Sequence, residues 1–239
     1  MATGGSRIVT TLRTIAAHEI VQRIHPRPPP TDRDEIAMAA GRAVDGTLAQ
    51  LGYDSRRGRR TTAAALRATG EQLLDGELMD GGVRISPSER EVILTQLRGV
   101  VREYRRSVLF GLTRPKARVI VIDGRVGVYV QPDYWNGRAR IFEMKSYPAI
   151  PPREEVALQL RLFQIGFPGF EAMLVCINRH SVPVSTTSAV IPPPTPEAVV
   201  STLRTAFDLG MEFGMEKVLE YMPGPFVHYP LPPGPPGGG

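Results

Sequence analysis

The stretch VYVQPDYWNGRARIFEMKSYP spans residues 128–148, and in it Pro132-Asp133 is followed after nine residues by Glu143-Met144-Lys145. Glu143 and Lys145 are two apart in a strand-like run, so period-two geometry points both to one face. Two carboxylates on adjacent strands can share a hard divalent cation such as magnesium, leaving positions for water and a phosphate oxygen. A lysine on the same face can orient or deprotonate the attacking water and offset charge developing on the phosphorus oxygens. Phosphodiester hydrolysis needs those parts. The competing reading is structural: Asp133 is a turn residue after a proline, and Glu143 with Lys145 is a surface ion pair worth under about 1 kcal/mol.

Shared ligation depends on parity. A two-residue turn at Asn136-Gly137 would pair Asp133 with Arg140 and send Glu143 to the opposite face. A three-residue loop, Trp135-Asn136-Gly137 with Gly137 in the left-handed region, pairs Asp133 with Ala139 and keeps Glu143 and Lys145 on Asp133's face. Chemistry therefore requires an odd loop or a bulge, with Phe142 and Met144 turned to the other side of the sheet.

The elements that must hold these residues are legible from periodicity. Apolar spacing predicts a helix over 7–24 (Ile8, Leu12, Ile15, Ile20, Ile24), stopped by the prolines from Pro26 to Pro30. Further helices are expected over about 32–51, 61–75 and 86–110, the last opened by the capping box Ser86-Pro87-Ser88-Glu89. Period two then takes over: 118–122, 125–130 and 139–145 read as an antiparallel meander, with Asp123-Gly124 as its first turn. A crossover helix over 153–165, strands over 172–178 and 186–191, and a final helix from Thr195 to about Tyr221 complete the pattern. The organisation expected is an N-terminal helix and proline linker (1–30), a main domain (31–221: helical part 31–115, sheet core 116–191, last helix 195–221) and a tail (222–239) too rich in Pro and Gly to fold alone.

Composition narrows the class. At 239 residues and 42% hydrophobic content the chain can bury one sizeable core. No run is long and apolar enough for a membrane span, and Arg13, His18 and Glu19 interrupt the first apolar segment, unlike a signal peptide, so the default expectation is the cytoplasm. One cysteine, Cys176, lies in the apolar run AMLVCIN, which excludes an internal disulfide and a cysteine-built metal site. Net charge is +5 and all but three of the 29 basic residues are arginine, a bias toward phosphate partners. The dense cluster Arg56, Arg57, Arg59 and Arg60 reads equally as a solvated patch or a phosphate contact. His18, His25, His180 and His228 have no ligand spacing, and Tyr134 and Trp135 can either stack on an unpaired base or pack at a hairpin end.

In order and placement these motifs resemble the PD-(D/E)XK nuclease superfamily, and within it the RecB-like branch. The residues carrying the resemblance are Gly127 through Pro132-Asp133, then Glu143-Met144-Lys145, then Gln159-Leu160-Arg161-Leu162-Phe163, where the branch usually ends Q-x-x-x-Y. Upstream, Gly41 is followed four residues later by Asp45 where the branch has histidine. An oxygen ligand suits magnesium at least as well. Glu35 is the alternative acid on the same helix. The resemblance covers about residues 32–191 and implies a restriction-endonuclease-like α/β core: a mixed central sheet with an antiparallel meander flanked by helices, plus an N-terminal helical elaboration.

It further implies a magnesium- or manganese-dependent deoxyribonuclease, exo- or endonuclease, acting in DNA repair, recombination or defence. Asp45, Asp133, Glu143 and the Met144 carbonyl would hold metal. Lys145 would position water, and Gln159 would steady the lysine or the phosphate. Lacking four cysteines, the chain carries no iron-sulfur cluster. DNA, single-stranded or branched, is the implied partner, with a protein partner such as a helicase possible and no membrane. The rival functions are a DNA-binding module on the same fold without turnover, and an interaction protein acting through its proline-rich tail.

Overall fold

The computed structural model describes residues 8–26, 28–59, 61–221 and 226–231. It begins with strand β1 (Ile8–Ala16) and then helix α1 (Ala17–Ile24), where apolar spacing alone predicts a single helix. The correction has a local cause. Most of Ile8–Ile15 is Ile, Val or Thr, whose branched Cβ atoms restrict rotamers in a helix and pack well on a pleated surface.

Helices α2 (Asp32–Arg56), α3 (Ala63–Asp80) and α4 (Pro87–Arg106) follow as expected, each somewhat shifted at its ends. Ser86 caps α4 as the sequence predicts: its Oγ accepts from the Glu89 N–H at 3.2 Å, and Glu89 accepts the Ser86 N–H at 2.9 Å. Val44 and Leu48 of α2 and Leu97 and Val101 of α4 are buried in one apolar cluster.

The remaining elements are β2 (Arg118–Ile122), β3 (Val126–Val130), β4 (Tyr134–Trp135), β5 (Arg140–Lys145), α5 (Glu154–Gly166), β6 (Glu171–Asn178), β7 (Ser185–Ile191), α6 (Pro196–Phe213), β8 (Met215–Tyr221) and β9 (Phe226–Tyr229). They build a mixed α/β protein with two mixed sheets rather than one central sheet: five strands in the order β8-β1-β3-β2-β9 and four in the order β4-β5-β6-β7. The expected meander is cut at its second corner. β2 and β3 pair antiparallel, but β3 ends at Val130, and after Gln131-Pro132-Asp133 the chain resumes as β4, which pairs with β5 in the other sheet. Pro132 has no N–H to give a ladder, so a strand must break or bend there.

Two further expectations change. The last helix ends at Phe213, not near Tyr221; Gly214 follows it and β8 then pairs antiparallel with β1. The tail contributes β9, parallel to β2, because an edge strand offers hydrogen bonds that a Pro/Gly-rich segment could not make alone. Residues 1–7, 222–225 and 232–239 lie outside the described residues, as do Arg27 and Arg60.

Helices α5 and α6 come unusually close to β3. A Cβ built on Gly166 or Gly210 would lie 2.3 Å from a methyl carbon of Val130 or Val126, so only glycine permits this approach. The crossover β5-α5-β6 joins two parallel strands, which brings the C-terminal ends of β5 and β6 to one sheet edge. Lys145 and Asn178 stand at those ends.

Candidate active site

The hairpin before β5 settles the parity question. Asn136 Oδ1 accepts the backbone N–H groups of Arg138, Ala139 and Arg140 at 3.0–3.1 Å, and Gly137 takes φ +76°. That side chain organises a longer loop than the three-residue one expected. The register is Tyr134 to Phe142 and Trp135 to Ile141, so continuing it sets Asp133 opposite Glu143 rather than Ala139 opposite Asp133. The shift is four residues, an even number, and the odd loop keeps Asp133, Glu143 and Lys145 on one face. Phe142 and Met144 point the other way, into the cluster with Val44 and Leu48, while Ile141 packs with Phe163 of α5.

The polar groups at the end of β5 make a connected set. The Met144 N–H donates to Asp133 Oδ2 at 2.9 Å. Lys145 Nζ donates to Glu143 Oε1 at 2.6 Å and to Gln159 Oε1, one helix away on α5, at 3.2 Å. Glu143 is buried, and its other oxygen, Oε2, has no donor among the described residues. Burial first, and then the nearby Asp133 charge, push the Glu143 carboxyl well above the ordinary range despite Lys145. Burial acts against the Lys145 cation, but Glu143, Asp133 and Tyr147 outweigh it and hold the ammonium firmly protonated.

Asp133, Glu143, Met144, Lys145 and Tyr147 line an open cavity of about 1010 Å³. Across it, α2 presents Asp45, fixed in place by its buried neighbours Val44 and Leu48. Asp45 is exposed to the cavity, yet the protein crowding it, together with the Asp133 charge, raises its pKa to about 6. Among the described residues no three His, Cys, Asp or Glu side chains stand close enough to enclose a cation by themselves. Asp133 and Glu143 are the acidic pair in direct reach of each other.

Other sequence candidates resolve differently. Glu35 lies beside Gly81 at the end of α3, outside the cavity lining. Phe163, standing where the branch has tyrosine, is buried among Ile141, Val128 and Val130, where a hydroxyl would lack purpose. Trp135 stacks on Phe170 at 6.3 Å and donates Nε1–H to Thr113, and Tyr134 packs on Tyr104, so both serve packing. Cys176 is a core thiol. Arg57 sits over the Tyr53 ring at 4.5 Å, with Arg59 in a separate crevice beside Arg105 and Phe110.

Sequence reasoning missed Arg179. It follows β6 directly, and because β6 is parallel to β5 it arrives at the same edge, where it lines the cavity and is itself buried. The available signal was positional: a cation placed just after a buried strand parallel to the one bearing Lys145.

The sequence matches no family model, and no curated protein matches it. Among solved structures, an alkaline exonuclease (LHK-Exo) from Laribacter hongkongensis is similar at 17% identity and a TM-score of 0.33, over 72% of this chain and 84% of that one. A likeness this slight carries no weight for shared activity. No helix among the described residues is long and apolar enough to cross a membrane.

Proposed function

We propose that the protein is a magnesium- or manganese-dependent DNA nuclease of the RecB-like type. One observation carries the reading: Glu143 and Lys145, the lysine held in turn by Gln159, stand beside Asp133 at the wall of an open cavity, with a buried carboxylate oxygen that has no donor among the described residues. A buried carboxylate facing a second carboxylate is costly unless a cation or proton compensates it. The donor set is all oxygen, which fits a hard divalent ion.

Asp133, Glu143 and the Met144 carbonyl would hold the metal, with Asp45 contributing from the α2 wall. When bound, the ion would supply Lewis acidity toward a phosphate oxygen and the attacking water. Lys145 is kept cationic, so its part is electrostatic: of its three N–H donors, Glu143 and Gln159 take two, leaving one for the attacking water or a phosphate oxygen. Gln159 fixes the direction of that third donor. The basic, arginine-rich composition suits a polyanionic substrate.

Purified protein incubated with labelled single- and double-stranded DNA tests this. Cleavage in magnesium or manganese and none in chelator is the expected result; intact DNA under every metal condition would contradict it.

A further inference from the structure

Arg179 is buried to 6% exposure, and among the described residues no carboxylate lies within ion-pair distance of it. A guanidinium removed from water without a counter-charge is costly. Its hydrogen bonds are all to neutral groups: Nη2 donates to the Ala37 carbonyl at 2.8 Å, Nη1 to Ser146 Oγ at 3.3 Å, and Nε to His180 Nε2 at 3.2 Å. Burial and the Arg179 charge lower the His180 pKa, consistent with the neutral imidazole that this bond requires. Of the five N–H donors of a guanidinium, two remain without a partner among the described residues.

Purely as a brace between α2 and β6, a neutral donor would serve without the desolvation. Gly41 of α2 lines the cavity beside Arg179, and a Cβ there would come within 3.3 Å of Nη1. Asp45, across the cavity, supports the charge only from a distance.

We propose that Arg179 is a substrate-binding residue that grips a DNA phosphate, at or next to the one cleaved, with its two free N–H groups. A planar fork of donors matches paired phosphate oxygens. The inference rests on the nuclease reading, and gives that site a means of orienting phosphate independent of the metal ligands.

The test measures DNA affinity against salt concentration, with calcium replacing magnesium, for wild type, Arg179→Gln, Arg179→Lys and Gly41→Val. Arg179→Gln should weaken single-stranded DNA binding about tenfold or more. It should also reduce the slope of log affinity against log salt by about 0.7, the loss of one phosphate contact. Arg179→Lys should restore the slope while recovering only part of the affinity. Gly41→Val keeps the charge but fills the space beside Nη1, and should also weaken binding and reduce the slope; it decides the matter if Arg179→Gln does not fold. Unchanged affinity and slope in either Arg179→Gln or Gly41→Val would overturn the assignment while leaving the nuclease reading intact. A wild-type protein that neither cuts nor binds DNA would overturn the nuclease reading itself, and this inference with it.

Discussion

Two sets of acid-base pairs in this molecule use the same chemistry in opposite surroundings. On the outer faces of α3 and α4, Arg67 bonds Glu71 and Glu91, Arg98 bonds Glu91, and Arg90 bonds Asp75, all in solvent; Glu91 keeps 54% of its side-chain surface exposed. At the end of β5, Glu143 keeps 4% and Lys145 17%. Water and salt screen the first set, so its pairs contribute little. The second set was taken from water at a cost, and it leaves one carboxylate oxygen without a donor among the described residues. On the nuclease reading proposed above, placement rather than pairing marks the functional group: a cost accepted at a cavity wall keeps charge ready for something that enters the cavity.

The comparison is broken most severely by removing the two acids at the cavity wall. Glu143→Gln and Asp133→Asn should each lower cleavage by at least about a hundredfold, some 2.7 kcal/mol of transition-state stabilisation, with thermal unfolding nearly unchanged. Single-turnover cleavage beside a melting curve checks both halves. A smaller effect comes from Gln159→Ala, which removes one of the two hydrogen bonds that orient Lys145; about a tenfold loss in kcat is expected, with KM little altered.

The buried pair also has a pH signature that the surface pairs lack. Because the folded Glu143 pKa is raised above its ordinary value of 4.5, the native state binds more protons than the unfolded chain above that pH. Without divalent metal, stability contributed by this group is therefore fully present below pH 4.5 and is lost as pH rises through the raised value. Denaturant unfolding in chelator should show that decline in wild type and a flatter profile in Glu143→Gln. Saturating magnesium or manganese should lift the wild type most at the higher pH. The smallest effect belongs to the surface: Asp75→Ala should shift Tm by less than about 3 °C and leave cleavage unchanged.

Much of the β5 arrangement was legible because the signals were local and periodic. Glu143 and Lys145 share a face by strand parity, the odd loop follows from requiring Asp133 to join them, and Gln159 is one crossover helix away. The loop's length was not legible, since it depends on Asn136 bonding three successive N–H groups. Nor was β1, because the spacing of Ile8, Leu12, Ile15 and Ile20 satisfies a helix while the branched residues of the Ile8–Ile15 run favour a strand, and the partners β3 and β8 come from far along the chain. Pro132 bars a continuous ladder there, but which sheet the chain enters afterwards is set by tertiary pairing. Arg179 was hidden for the same reason: its neighbours Ala37 and Ser146 are distant in sequence and meet it only through the parallel β5-β6 pair.

The most direct test of the central claim is Lys145→Ala, assayed for both cleavage and gel-shift binding of labelled DNA in magnesium and in chelator. Loss of cleavage by at least about a hundredfold, with binding nearly intact and the melting temperature close to wild type, is the result the buried-pair account predicts. Cleavage by Lys145→Ala at the wild-type rate would show that the site at the end of β5 does not carry the chemistry.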